Sequence, residues 1–290
     1  MKIEVEPGKY VIAVSGGVDS IVLLDLLRMY PGVKLTVAHF DHGIRDDSHL
    51  DKRHVERLAR RYKLPFVYDA GRLGPGASEA DARHARYAFL KKVQASTGAS
   101  AIITAHHQDD VLETAIINLL RGTGRKGLSS LTSGEGIIRP LLDVPKTEII
   151  DYAKRHGLAW REDSTNQSQD YLRNRIRHEM LPSWSARDKQ SLLDTTKRMR
   201  ALNAQIDEAI GPNIQGDLER SWFILLPHLM SREIIASWLR YHSIRDFDRH
   251  TLERLAIAGK TAEPGKVIDI VNGHRMRVGK RHLALETAER

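Results

Sequence analysis

The chain has no cysteine in its 290 residues, which excludes disulfides, thiolate zinc sites and sulfur relay through cysteine, and suits a reducing cytosol. It also has no apolar run approaching the roughly 18 residues of a membrane span. Its start, Met1-Lys2-Ile3-Glu4-Val5-Glu6, carries acids that a secretory leader avoids. A soluble, cytoplasmic protein with no membrane partner is the expectation. A third absence concerns nucleotide binding. The common phosphate loop needs Gly, four residues, then Gly-Lys-Ser/Thr. Gly122 to Gly127 has the glycine spacing, but Leu128 stands where lysine belongs, and Gly259-Lys260-Thr261 is preceded by Arg254 at the first glycine position.

Hydrophobic residues make up 41% of the chain, enough for a substantial core and, at this length, for two units rather than one. The formal net charge of +8 points to a polyanionic partner, although charge alone does not name it. The segment 183–290 is more positive per residue than 1–182. Its end, His274-Arg275-Met276-Arg277-Val278-Gly279-Lys280-Arg281-His282, alternates basic and apolar positions as an exposed strand pair does. One face of that hairpin is suited to tracking phosphates, and a merely solvated hairpin would read the same way.

The most informative stretch is Ser15-Gly16-Gly17-Val18-Asp19-Ser20, between the apolar run Tyr10 to Val14 and the helix-like Ile21 to Leu27. A strand passing through small residues onto a helix start makes an anion site: the glycines allow close backbone approach, and the first N–H groups of the helix point at the ligand. Strand-like and helix-like runs then alternate: Val33 to Phe40, about Asp47 to Tyr62, Pro65 to Tyr68, Glu79 to Val93, Ala101 to Ala105, and about Asp109 to Leu120. This alternation predicts an α/β fold whose parallel sheet is covered on both faces. Ligands in such sheets lie beyond the carboxyl ends of the strands, where His39-Phe40-Asp41-His42-Gly43-Ile44-Arg45 and His106-His107-Gln108-Asp109-Asp110 fall.

In the latter segment, Asp109 or Asp110 can begin a helix, and Asp110, Glu113, Thr114, Ile117 and Arg121 share one helical face. Two carboxylates on that face suit magnesium or an ammonium group. Capping acids favoured by the helix dipole would look alike. Adjacent His106 and His107 diverge and lack zinc spacing. Arg83 and Arg86 stand three apart at a helix entrance, and arginine there clamps phosphate or carboxylate with a planar fork. Arg121-Gly122-Thr123-Gly124-Arg125-Lys126-Gly127 is a basic, glycine-rich segment suited to a triphosphate or RNA. Further on, a helix over Lys146 to His156 is expected, and Arg173 and Arg177 share a helix face with Arg175 offset. Asn166-Gln167-Ser168 fits a glycosylation sequon that nothing else supports.

In order, SGGVDS, HFDHGIR, ARHARY, TAHHQDDVLET, RGTG, RPLL, EDSTN and RNRIR occupy residues 15 to 177. Together they resemble the tRNA(Ile)-lysidine synthase family of PP-loop ATP pyrophosphatases, in its shorter form. Asp41 and Ile44 depart from the family's more frequent Asn and Leu. The resemblance implies a Rossmann-like PP-loop nucleotide-binding catalytic domain over 1–182. It also implies a smaller, mostly helical tRNA-binding part with a terminal β-hairpin over 183–290. The implied reaction adenylates the C2 carbonyl oxygen of the anticodon wobble cytidine with ATP and Mg2+. The ε-amine of free L-lysine then displaces AMP, and the partner is tRNA(Ile) with a CAU anticodon. By the same resemblance Ser15, Gly16, Gly17, Val18, Asp19, Ser20, His39, Arg86 and His106 bind nucleotide. Arg86, Asp110, Glu113, Arg121, Arg173 and Arg177 bind substrate; Asp19, Asp110 and Glu113 are catalytic, and Asp19 is the metal contact. A homodimer is left open. The alternatives are another PP-loop tRNA-modifying or amidating enzyme, disfavoured for thiolation by the missing cysteines, and a non-catalytic RNA-binding relative.

Overall fold

Five short strands and their crossover helices form the first part of the chain: β1 Gly8–Ala13, α1 Val18–Leu27, β2 Val33–Asp41, α2 Ser48–Arg61, β3 Phe66–Ala70, α3 Glu79–Thr97, β4 Ala101–Ile103, α4 Gln108–Leu120, α5 Arg125–Leu128, β5 Ile137–Ile138 and α6 Lys146–Arg155. The computed structural model describes residues 1, 3–43, 48–71, 74, 78–129, 131–134, 136–161 and 172–287. Ile44-Arg45, the EDSTN motif with its sequon at Asn166, and Tyr171 lie outside the described residues.

The strands pair in parallel in the order β3-β2-β1-β4-β5. β1 is therefore flanked by β2 on one side and by β4 on the other, and the chain reverses its winding between β1 and β4. That reversal opens a crevice at the strands' carboxyl ends. Val11, Ile12 and all of β4 are buried, as central parallel strands must be. α1 is buried nearly all round through Ile21, Val22, Leu23, Leu24 and Leu27. It also carries the buried Asp25, which accepts from Tyr62 (2.7 Å), Arg28 Nε (2.9 Å) and Tyr152 (3.0 Å) and so ties α1 to the end of α2 and to α6.

After the sheet come α7 Leu172–Arg175, a π-helical turn Ile176–Met180, α8 Leu181–Ser183 and the long α9 Ala186–Ile210. Ile176, Leu181 and Leu193 pack with Val111, Leu112 and Ile116 of α4. The chain forms two compact units, Met1–Met199 and Arg200–Arg290. The first retains the start of α9 because Leu193 belongs to the α4 cluster.

The second unit contains β6 Leu218–Glu219, α10 Arg220–Leu225, α11 His228–Tyr241, α12 Arg249–Thr261, β7 Val267–Asp269, β8 His274–Val278 and β9 His282–Thr287. The basic terminal hairpin, β8 with β9, is the middle of a four-stranded antiparallel sheet ordered β6-β9-β8-β7. Its helices and sheet enclose Trp238, Phe223, Met276 and Leu283. Gly259 sits where a Cβ would come within 2.8 Å of Phe223 and 2.9 Å of Leu283, so this glycine serves close packing. Among the described residues, no helix is long and apolar enough to cross a membrane.

Candidate active site

The turn after β1 is fastened from within. Ser20 Oγ accepts from the N–H groups of Ser15 (3.2 Å) and Gly16 (3.3 Å) and donates to the Gly17 carbonyl (2.9 Å), while Gly17 N–H donates to Ser15 Oγ (3.3 Å). Gly16 has φ +102°, a backbone state that L side chains rarely adopt. Gly17 is the N-cap of α1 and offers no side-chain acceptor. Helix geometry thus leaves the N–H groups of Val18, Asp19 and Ser20 without intrahelical partners at the crevice floor. Ser20, expected as a ligand contact, spends its hydroxyl shaping the loop.

The crevice has a volume of about 1120 Å³. Ser15, Gly17, Val18, Asp19, Ser20, His39, Arg86, His106, Asp110 and Arg177 all line it, from strands and helices far apart in the chain. The first turns of α1, α2, α4 and α6 contribute Val18, Ser48, Asp109 and Lys146 to its wall. The uncapped start of α1 favours an anion there, whereas Asp110 already caps the start of α4.

His39 is buried at the end of β2, with Nδ1 2.8 Å from the Val14 carbonyl. Nδ1 therefore carries the proton and Nε2 is an acceptor. Burial pushes its pKa down, and its ring stacks on Tyr68. His106, bonded through Nδ1 to Thr104 Oγ1 at 2.9 Å, is pushed down to about 4 by burial and is neutral at pH 7.

α4 begins at Gln108, one residue before Asp109 and two before Asp110. His107 is its N-cap, taking the Asp109 N–H on Nδ1 (3.3 Å), while Asp110 accepts the His107 N–H (2.9 Å) in a reciprocal capping box. With Nδ1 an acceptor, His107 Nε2 bears a proton, and it lies 3.5 Å from Asp110 and 3.7 Å from Asp19. Burial alone would raise the Asp110 carboxyl. The His107 ring beside it, the His107 N–H and Arg177 outweigh it and hold the group below its ordinary value.

Glu113 does not share the crevice with Asp110. It is fully buried beneath it, and both its oxygens are taken by Arg177, Nε at 2.6 Å and Nη2 at 2.8 Å, with Arg173 Nε at 3.6 Å. Desolvation raises its pKa more than the Arg177 fork lowers it. The ladder of Arg173 and Arg177 is real, but it grips this carboxylate, while the offset Arg175 faces Glu179 at 3.8 Å. Arg177 also reaches within 3.7 Å of Asp110, so Glu113 orients the cation that faces the crevice. Arg121 is exposed just past the end of α4, at the opposite end of that helix from Asp110. Its shared helical face does not bring it to the site. Arg86 is half-buried at the wall, whereas Arg83 is exposed.

Sequence reasoning missed Lys146, which binds both oxygens of Asp19 at 2.5 and 2.7 Å. It also missed the Arg161–Asp51 bridge of 2.6 Å, set by the Arg161 N–H that donates to the Gly16 carbonyl (3.1 Å). Neither has a local signal, since the partners lie 127 and 110 positions apart.

A family model described as PP-loop domain matches residues 2–184. A curated tRNA(Ile)-lysidine synthase of Bdellovibrio bacteriovorus is 32% identical over 85% of this chain and 82% of its own length. The chain belongs to the tRNA(Ile)-lysidine synthase family of PP-loop proteins. A lysidine synthase of Solibacter usitatus is 39% identical over 63% of this chain but only 42% of its own length, so the chain spans less than half of that relative. Among solved structures, a U34-tRNA thiolase of Methanococcus maripaludis shares the PP-loop fold, with a TM-score of 0.55 and 18% identity over 67% of this chain and 73% of its own.

Proposed function

We propose that the chain is a tRNA(Ile)-lysidine synthase: it uses ATP to adenylate the C2 oxygen of the wobble cytidine in a CAU anticodon and directs the ε-amine of free lysine to that carbon. The observation carrying this reading is the convergence of an uncapped helix start, beneath a glycine turn, with the carboxylates of Asp19 and Asp110 in one crevice. A pyrimidine carbonyl oxygen leaves badly, and its conversion to a phosphate ester makes amine attack at C2 feasible.

The residues fit each participant. The N–H groups of Val18, Asp19 and Ser20 suit phosphate oxygens, and His39 Nε2 and His106 offer neutral imidazoles to the nucleoside. Mg2+ is bound through one or two carboxylates plus substrate phosphates, and Asp19 is a carboxylate beside that phosphate seat; the metal would neutralise charge developing on the phosphates. Asp110 stays ionised at neutral pH and suits the ammonium of lysine, whose ordinary pKa is about 10.4. Held this low, Asp110 orients the group rather than keeping its proton, which passes to water before the free amine attacks C2 and AMP leaves with the C2 oxygen. Arg177, steadied by Glu113, lies next to it and suits the lysine carboxylate.

The segment 183–290 would hold the tRNA body through phosphates, which position without reading sequence. Arg275 pairs with Asp269 (2.9 Å) and Arg277 with Glu286 (2.9 Å) in exposed ion pairs that phosphates can displace, and Lys280 and Arg281 add exposed cations at the hairpin turn. A cytoplasmic site of action and a homodimer remain parts of this proposal.

The test is incubation with ATP, Mg2+, lysine and CAU-anticodon tRNA. The expected result is lysine-dependent pyrophosphate release and a tRNA mass gain of one lysine residue. Pyrophosphate release with another acceptor would favour a sibling PP-loop enzyme. RNA binding without pyrophosphate release would favour a non-catalytic relative.

A further inference from the structure

Lys146 is the first residue of α6, after the N-cap Pro145. That end of a helix carries partial positive charge and disfavours a cation. Its ammonium nevertheless binds both oxygens of Asp19, in the first turn of α1. Lys146 is 31% and Asp19 26% exposed to the crevice, and ion pairs this open contribute little to folding. Stability does not account for the placement. Arg161 and Arg177, by contrast, are committed to the better buried carboxylates of Asp51 and Glu113. Lys146 is therefore a cation on a long flexible stem, held by a solvent-accessible partner at the mouth of an anion-favouring helix start.

The geometry points to a partner exchange that rests on the nucleotide reading above: in the nucleotide-free chain Lys146 neutralises Asp19, and a nucleoside triphosphate draws its ammonium onto a phosphate oxygen, releasing the Asp19 carboxylate for the accompanying metal. A triphosphate offers more negative charge than one carboxylate, and the uncapped start of α1 already favours it there. The exchange spares the free site an uncompensated acid where phosphates must enter. It also makes the metal contact conditional on nucleotide.

Binding is measured by calorimetry without tRNA or free lysine, so the result is independent of the product formed. Lys146→Met should weaken ATP binding about tenfold or more, the scale of a lost contact to a charged group, and leave adenosine binding within about twofold. Lys146→Arg should restore most of the loss. In magnesium-free buffer, Asp19→Asn should bind pyrophosphate more tightly than the parent chain, because the ammonium is no longer held, and adding Lys146→Met should cancel that gain. Equal loss of ATP and adenosine in Lys146→Met would make Lys146 a structural brace and overturn the exchange. So would pyrophosphate binding unchanged or weakened by Asp19→Asn. Absence of ATP binding by the parent chain would remove the nucleotide reading itself, whereas ATP binding indifferent to Lys146 would remove only this step.

Discussion

Asp110 has two duties at once: it caps α4 through the His107 N–H and presents a negative charge to the crevice. Asp110→Asn separates them, because an amide oxygen still accepts the N–H but carries no charge. The expected outcome is ATP binding within about threefold of the parent and lysine transfer reduced by about 100-fold or more, on the scale of losing a positioned catalytic group. Radiolabelled lysine incorporation checks it, and full turnover would remove Asp110 from the amine site. Glu113 is a different case. Arg177→Met would strand a fully buried carboxylate and should cost about 3–5 kcal/mol of stability, read as a lower midpoint in urea unfolding. The buried His39 and the half-buried His106 predict a pH dependence. His106, folded pKa about 4, refuses protons that the unfolded chain takes up from its ordinary value of 6.5 downward. His39 is shifted in the same direction. Between those pH values the unfolded state binds more protons, so stability falls as pH falls. His106→Gln should flatten that slope in thermal unfolding between pH 6.5 and 4. At this scale the sequence revealed residue type and helical spacing, so Asp110 was readable. The Asp19–Lys146 and Glu113–Arg177 pairs were not, since each joins elements far apart in the chain.

Among the elements, the turn into α1 sets the site. Gly16 at φ +102° admits no Cβ without backbone strain, and Gly16→Ala should cost about 1–3 kcal/mol and reduce ATP affinity together with stability. A variant that binds ATP normally would show that the turn tolerates another shape. Strand and helix runs were legible because apolar blocks and helix starts are local signals; Glu79, Lys146 and Leu120 bound their helices as the pattern suggests. The C-terminal sheet was only half legible. The alternating segment 274–282 announces a hairpin, but β6 and β7 have two and three residues, too few to carry a period, and their existence depends on partners across the sheet.

Over the whole molecule, a net charge of +8 favours a polyanionic partner, and on the proposed tRNA reading the exposed Lys280 and Arg281 make the hairpin turn its phosphate contact. Replacing Lys280 and Arg281 with Gln should weaken tRNA binding at every sequence alike. It should also lower the slope of log affinity against log salt by about one per lost phosphate contact. An unchanged slope would move the RNA contact elsewhere. The expected boundary after Pro182 follows motif content, whereas the compact units meet after Met199 because Leu193 packs under α4.

The sequence by itself determined the parallel α/β framework, the glycine turn, and the polar clusters at strand ends, because these depend on periodicity and backbone freedom over a few residues. Only the tertiary structure decided which charges face the crevice and which neutralise each other. Partner choice for Asp19, Glu113 and Asp51 is a matter of distance in space, which the winding of the sheet fixes and the order of residues does not display.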